Sequence, residues 1–381
     1  MIEGWKQVKL ADYYTIHSGL SKPAEEFGFG YPFLSFSDIF WNYFVPEELS
    51  QLVNSTKKEQ LSCSVKKGDV FLTRTSETIE ELGMSCVALK DYPRATFNGF
   101  AKRLRPINNK DLDPKFIGFY LRSPQFRAEI TAYSTLTTRA SLNNGIIERL
   151  RINLPQLTIQ RKISSILSAY DDLIENNRRR MALLEKAARL LYEEWFVRLR
   201  FPGHARTRVT DGVPKGWERA PLGEHLVLNY GKALKSEDRL EGQIPVYGSS
   251  GIVGTHEKAL SNGPGIILGR KGNVGSVYWS PTSFYAIDTV YFIAPEKSDL
   301  YLFHALKQMH FINTDVAVPG LNRDMAYSRP LLLPPKTVLQ DFLEVVNPVY
   351  KQIVKLEQLN QKLRAARDLL LPRLMNGEVA V

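Results

Sequence analysis

Cysteine is nearly absent: Cys63 and Cys86 are the only two among 381 residues, both in the first third of the chain. Two thiols cannot build a disulfide framework or a cysteine-rich zinc site, so they are expected to be reduced and simply packed. The six histidines show no metal-ligand spacing, and no metal is expected. No apolar run approaches the length needed to cross a bilayer, and the opening MIEGWKQVKL lacks the charged and then apolar pattern of a signal peptide. These absences together predict a cytoplasmic chain. A phosphate-cradling loop is missing as well. GRKGNVG, from Gly269 to Gly275, has no Gly-Lys-Ser/Thr at the required spacing and opens no long helix.

What remains is an ordinary globular composition, too long for one core and suited to two or three domains. The net charge of +10 and a pI near 9.4 suit a polyanion partner, although basic proteins need not have one. The excess is about +3 over residues 1–153, +5 over 154–215, 0 over 216–332 and +2 over the remainder. No segment is a basic tail, so any nucleic-acid contact must come from residues placed within folded domains.

The chain repeats itself. LPQLTIQ from Leu154 returns as LPPKTVL from Leu333, and at this offset of 179 Thr158 meets Thr337, Leu184 meets Leu363 and Ala187 meets Ala366. The same offset pairs Leu142-Asn143 with Leu321-Asn322. Upstream, GWKQVKL at Gly4 matches GWERAPL at Gly216 at an offset of 212, so the second copy is shorter by 33 residues within its globular part. GDVFLTR (Gly68 to Arg74) resembles PGIILGR (Pro264 to Arg270). The predicted order is globular, helix, globular, helix. Short β-branched or aromatic runs such as IPVYG, GIIL and TVYFI, divided by Gly, Pro, Asn and Ser, predict strands joined by tight turns. Short helices are expected around KFIGFYLRS (from Lys115) and LYLFHALKQ (from Leu300). The fold class is α+β, with boundaries at 1–153, 154–200, a linker at 201–215, 216–332 and 333–381.

Both helical segments carry heptads. The first seam comprises Leu167, Tyr170, Ile174, Asn177, Met181, Leu184, Ala188 and Leu191; the second comprises Val346, Val349, Ile353, Leu356, Asn360, Leu363, Arg367 and Leu370. Asn177 and Asn360 occupy seam positions where a polar side chain fixes register and partner. The two helices are expected to pair as an antiparallel coiled coil with the globular domains at opposite ends; the plainer alternative is two helices packed separately on their own domains. Thr337 is expected to open a T-x-x-Q capping box, and Pro348 to divide the second helix near Val346, with Asn347 capping the restart. A thirty-residue helix spans about 45 Å, comparable with one turn of duplex DNA, about 34 Å.

These features resemble the DNA-specificity subunit of type I restriction-modification enzymes. The resemblance covers essentially the whole chain and is carried by the two helix starts, the ending RDLLLPRLMNGEV (Arg367 to Val379), IPVYGSSGIVG with GPGIILGRKGNVGSVYW, and, in the first copy, GDVFLTRTSETIEELGMSCV with FNGFAKRLRP. One departure is Gln160, where the repeat has Leu339. The resemblance implies a non-catalytic subunit with two target recognition domains in tandem, each reading half of a split sequence in double-stranded DNA. The paired helices would set the spacing and dock two modification subunits, with a restriction subunit as an optional further partner. No cofactor is expected in this chain; S-adenosylmethionine belongs to the methyltransferase subunits, which methylate adenine.

For DNA contact the candidates are loop residues able to reach bases or phosphates. They are Arg270, Lys271 and Asn273 in the glycine-flanked turn, Thr73, Arg74, Thr75 and Ser76 at the corresponding place in the first copy, and a second loop with Thr137 and Arg139, answered by Asn322 and Arg323. A hairpin turn with solvated charges is the plain alternative for the first group. Arg178, Arg179 and Arg180 fall on the outer helix face, suited to solvent or a partner subunit. NPVY at Asn347 is similar to the Asn-Pro-Pro-aromatic loop of adenine methyltransferases, but Val349 replaces the second proline within a heptad. Two other function classes stand beside the leading one: a single-chain methyltransferase or nuclease, which requires a cofactor loop or carboxylate cluster, and a coiled-coil adaptor that binds no DNA.

Overall fold

The computed structural model describes residues 4–76, 78, 81–108, 110–133, 140–311 and 320–381. The chain divides into two compact units, one of Met1–Asn176 with Asn360–Val381 and the other of Asn177–Leu359. The first unit runs β1 (Lys6–Lys9), β2 (Tyr14–Ser18), β3 (Phe27–Leu34), α1 (Phe36–Trp41), β4 (Gln51–Val53), α2 (Lys57–Ser62) and β5 (Val70–Thr73). It continues with β6 (Thr75–Ser76), β7 (Ser85–Val87), β8 (Thr96–Phe97), β9 (Ala101–Pro106), α3 (Pro114–Tyr120), α4 (Pro124–Tyr133), β10 (Ala140–Ser141), α5 (Asn144–Arg149) and β11 (Arg151–Leu154), and leads into α6 (Leu157–Tyr192). The second unit has a linker hairpin, β12 (Val209–Thr210) with β13 (Val213–Pro214), and then β14 (Glu218–Pro221), β15 (Asn229–Tyr230), β16 (Ile244–Gly248), β17 (Gly251–His256), β18 (Gly265–Gly269) and β19 (Val277–Ser280). β20 (Tyr285–Ala286), β21 (Val290–Ile293), α7 (Leu300–Gln308), α8 (Arg323–Tyr327) and β22 (Pro330–Leu333) precede α9 (Lys336–Met375).

The two units share one topology. The first has a four-stranded sheet ordered β2-β9-β5-β7 and a three-stranded sheet ordered β4-β3-β8; the second has β15-β21-β18-β19 and β17-β16-β20. In each three-stranded sheet one pair is antiparallel and the other parallel. An antiparallel pair, β1 with β11 or β14 with β22, brings each unit's opening strand against the strand that precedes its helix. β5 and β18 are central and buried on both faces, which is why VFLT and GIILG read as continuous rather than alternating apolar runs. The largest single part of the length difference lies between β3 and β4, where residues 35–50 carry α1 while only Ser249 and Ser250 separate β16 from β17; the stretch between α3 and α5, which carries α4, adds more. α1 and α2 are short but firmly started: Ser35 with Asp38 and Thr56 with Glu59 form reciprocal capping boxes, each satisfying two otherwise unpaired backbone donors.

Each unit contains part of both long helices, and in each they run antiparallel. In the first, Ile163 and Leu167 of α6 share a core with Leu371, Leu374 and Met375 of α9, and Arg367 bonds Asp171 at 2.5 Å. In the second, Glu185 lies near Tyr350, while further along α6 the Tyr192 ring packs 6.2 Å from Phe342, earlier on α9. Each fully buried leucine in such a seam contributes about 2 kcal/mol. The seam residues Leu167, Ile174, Asn177, Ala188, Val346, Leu356 and Asn360 are buried; Tyr170, Met181, Leu184, Leu191, Val349, Ile353, Leu363, Arg367 and Leu370 are half-buried. After Tyr192 the last turn widens into a π-helical segment, Glu193–Val197, which sets Phe196 edge-on to both Tyr301 and Phe342. Gln160, the departure from the repeat, is fully buried. Its amide accepts from the Asp113 N–H and donates to the carbonyls of Asp111 and Pro155, tying the first turn of α6 to the start of α3.

Two helix expectations are corrected. α9 is continuous through Pro348 instead of restarting there. The proline ring removes the donor for the Glu344 carbonyl, but Glu344, Asn347 and Pro348 are all on the exposed side, where water takes that role, while Val346 and Val349 hold the opposite face. Thr337 does not cap: the helix starts at Lys336, and the Pro335 carbonyl accepts the Leu339 N–H. The same offset appears in α6, which starts at Leu157 with the Gln156 carbonyl accepting from Gln160.

Candidate nucleic-acid interface

Four loops meet at one end of each four-stranded sheet, and they meet in the same way twice. In the first unit the loop after β5 carries Arg74, whose N–H donates to the Phe100 carbonyl and whose carbonyl accepts from Leu142 at 2.7 Å. In the second, the loop after β18 carries Arg270, whose N–H donates to the Thr289 carbonyl and whose carbonyl accepts from Leu321 at 2.7 Å. Thr75 then pairs with Ser141, and Lys271 with Gly320. Asn143 and Asn322 follow as side-chain caps of α5 and α8. Gly19 and Gly231 complete the rim. A Cβ at Gly19 would lie 2.1 Å from the Asn98 carbonyl oxygen and one at Gly231 2.0 Å from that of Ile287, so no larger residue fits without backbone movement.

The candidate residues fare differently. Arg270 is half-buried, with its guanidinium over the Tyr230 ring at 5.0 Å and near Tyr291 at 5.7 Å, and it donates to the Asp288 carbonyl at 3.3 Å. Arg323 reaches the same Tyr230 at 5.3 Å and Tyr327 at 5.8 Å. Two cations therefore share one tyrosine, an arrangement that fixes their rotamers while leaving in-plane N–H groups to donate. Lys271 is half-buried beside them, and exposed Asn273 donates to Ser250 Oγ at 3.1 Å, joining the β18–β19 turn to the β16–β17 hairpin tip. Asn322 is exposed, but its side-chain oxygen caps α8 by accepting from the Asp324 and Met325 N–H groups.

In the first unit Arg74 is half-buried, and its charge acts on Lys102: burial, then Arg74, lower the Lys102 pKa from its ordinary value. The Lys102 ammonium donates to Ser18 Oγ at 3.0 Å. Thr75 and Ser76 are half-buried, and the Ser76 hydroxyl donates to Glu81 at 3.2 Å. Thr73 is a correction. It is fully buried, and its hydroxyl accepts from the Met84 N–H at 2.9 Å, holding the β5–β7 connection together and leaving no surface for DNA. Thr137 and Arg139 lie outside the described residues.

Sequence reasoning missed Tyr230, Lys102 and the paired glycines. The glycines carried a usable signal: the 212 offset that aligns the domain starts also aligns Gly19 with Gly231. Also unanticipated were the exposed aromatics Phe29, Trp41 and Phe100 in the first unit. Among the described residues no group of three or more His, Cys, Asp or Glu is placed to hold a metal, and no helix is long and apolar enough to cross a membrane. The rims thus offer cations, amides and hydroxyls on a backbone frame, chemistry suited to phosphates and base edges.

A family model described as type I restriction modification DNA specificity domain matches residues 2–186 and again 214–365. The chain belongs to this family and contains its domain twice. Among curated relatives, the MjaIX type I restriction enzyme specificity subunit of Methanocaldococcus jannaschii is 26% identical over 364 residues, covering 86% of this chain and 82% of that protein. The HindI specificity subunit of Haemophilus influenzae is 22% identical over 469 aligned positions, covering 98% and 99%. A crystal structure of a type I restriction-modification S subunit from M. genitalium has the same fold, with a TM-score of 0.58, 18% identity and coverage of 98% and 96%. The tandem α+β architecture is therefore that of a DNA sequence-specificity subunit.

Proposed function

We propose that this chain is a non-catalytic subunit that reads a split sequence in double-stranded DNA, one half with each rim, while its antiparallel helices fix the separation of the halves. Two adenine methyltransferase subunits dock on it and hold the S-adenosylmethionine; a restriction subunit joins when the system cleaves. The complex works in the cytoplasm, on the cell's own DNA. The observation that carries this reading is the duplicated rim: two units of one topology present a positively charged loop cluster at the same end of the same sheet, each unit containing part of both long helices. An enzyme would need one convergent site; a reader of two half-sites needs two equivalent surfaces. The net charge of +10 supports a polyanionic partner.

The test is modified-base sequencing of plasmid DNA from cells expressing the chain with its modification subunit, against cells expressing that subunit alone. A two-part motif, methylated on adenine in both halves and present only with this chain, is the expected result. Unchanged methylation, with both proteins soluble and associated, overturns the proposal.

A further inference from the structure

Comparing the two rims position by position separates what they share from what they do not. Arg74 and Arg270 occupy the same backbone place, each with its N–H on the loop before β9 or β21 and its carbonyl on the loop before α5 or α8. The residue that follows differs in character, Thr75 against Lys271, as do the partner positions Phe100 and Thr289. Two readers of unlike half-sites cannot tell them apart with the residue they have in common. A shared arginine is suited to what both half-sites share, the sugar-phosphate backbone.

A second observation agrees. Each shared arginine has a second cation close by, and that cation comes from a different element in each unit. In the first unit it is Lys102 on β9; the matching place on β21 is Tyr291. In the second unit it is Arg323 of α8, whose guanidinium lies 5.3 Å from the centre of the Tyr230 ring that Arg270 approaches at 5.0 Å. The Arg323 Nε is buried and has no hydrogen-bond partner among the described residues. Crowding like charges is unfavourable in the free protein and becomes favourable when an anion lies between them. The same charge pair, assembled by two routes, points to a common anionic ligand.

We infer that Arg74 with Lys102, and Arg270 with Arg323, each grip a DNA phosphate without regard to sequence, while base choice lies with rim positions that differ between the units, Lys271 among them. This rests on the DNA-reading function proposed above. The complex with the modification subunit is compared with complexes carrying Arg74→Gln, Arg270→Gln and Lys271→Gln, by modified-base sequencing and by binding to duplexes with and without the motif over a range of salt. Each Arg→Gln change is expected to weaken both duplexes by one common factor, roughly ten- to a hundredfold. It should reduce the slope of log affinity against log salt by about 0.9 and leave the motif intact. Lys271→Gln should relax one half of the motif only. Arg74→Lys and Arg270→Lys keep the charge and should keep slope and motif, which separates loss of a contact from loss of the fold. Relaxation of one half-motif by Arg270→Gln, with the slope unchanged, would make Arg270 a base reader and overturn the division. A wild-type complex that yields no motif removes the DNA-reading function and this inference together.

Discussion

Replacing Arg367 by Met would strand a carboxylate where the two long helices meet in the first unit. The Arg367 guanidinium bonds Asp171 at 2.5 Å and Asp368 at 2.8 Å and lies 5.5 Å from the Tyr43 ring centre, with side-chain exposures of 16% for Arg367 and 31% for Asp171. Removing one partner of a fully buried pair costs about 3–5 kcal/mol, and of an exposed pair less than about 1. Asp171 keeps enough solvent to place the expected loss between these, at about 2 kcal/mol. Protonation behaviour gives the pair a further signature. Burial pushes the Asp171 carboxyl above its ordinary value despite the opposing pull of Arg367; burial would lower Arg367, but its bond to Asp171 raises it. The carboxylate is costly to desolvate, and the guanidinium stays charged in either case. The charged pair is then held at a net desolvation cost, and removing both charges is cheaper than removing one. Asp171→Leu with Arg367→Met should lie within about 1 kcal/mol of the parent, while Arg367→Met alone falls by about 2. Urea unfolding of the full chain, read as the midpoint at constant slope, measures all four corners of the cycle. If Arg367→Met stays within about 0.5 kcal/mol of the parent, the pair is a surface pair and the reasoning fails. If the apolar double variant is as weak as Arg367→Met, the loss comes from packing on Tyr43 and not from the orphaned charge. A raised folded pKa also means that the folded state holds this proton more tightly, so Asp171 does not itself drive acid unfolding.

His304 does the opposite. Burial, then Lys307 and Arg189, lower its pKa to about 4, and its ring stacks on Tyr192 with Nε2 3.3 Å from the Tyr350 hydroxyl. The unfolded chain binds this proton more readily, so stability is lost as pH falls from about 6.5 towards 4, by at most about 3 kcal/mol. His304→Gln should flatten the pH dependence of the unfolding midpoint across that window; a profile parallel to the parent's refutes the assignment. Gly19→Ala and Gly231→Ala each drive a methyl into a backbone carbonyl at about 2 Å and should cost about 1–3 kcal/mol. Calorimetric melting that leaves either variant at the parental temperature would mean that the rims yield to a side chain.

The sequence carried the parts of this molecule that repeat or alternate. Leu142-Asn143 and Leu321-Asn322 were visible as a pair because both asparagines do the same local work, capping a helix one residue later. The seam was visible because a helix buried along one stripe must place apolar residues at alternating steps of three and four. Contacts that join distant segments left no such trace. Tyr230 ends β15, Arg270 follows β18 and Arg323 opens α8, and nothing local in any of them announces the other two. Thr73 misled because a polar residue at the end of an apolar strand reads as surface, whereas here its hydroxyl satisfies a backbone donor inside the turn. Pro348 misled because a helix held by packing along its opposite face can carry a proline where the carbonyl it orphans faces solvent.

The unequal lengths of the two copies also follow a physical rule. The additional residues 35–50 lie between two strands of the three-stranded sheet, in a connection that is none of the four loops of the rim frame. Their cost is met locally. Arg122, just after α3, donates to the carbonyls of Ile39, Phe40 and Asn42 and to that of Ser85 on β7, so one side chain satisfies the carbonyls at the end of α1, which have no partner within the helix. The Arg122 guanidinium also lies 5.4 Å from the centre of the Tyr43 ring, and that of Arg367 on α9 lies 5.5 Å from it. The insertion is therefore bound to α3, to β7 and to the long helix by the same few groups, while Trp41 at its outer edge remains 74% exposed. A loop anchored in this way can gain surface without moving Arg74, Gly19 or Asn143. That independence lets one half of the chain diverge in shape while both halves keep the same frame.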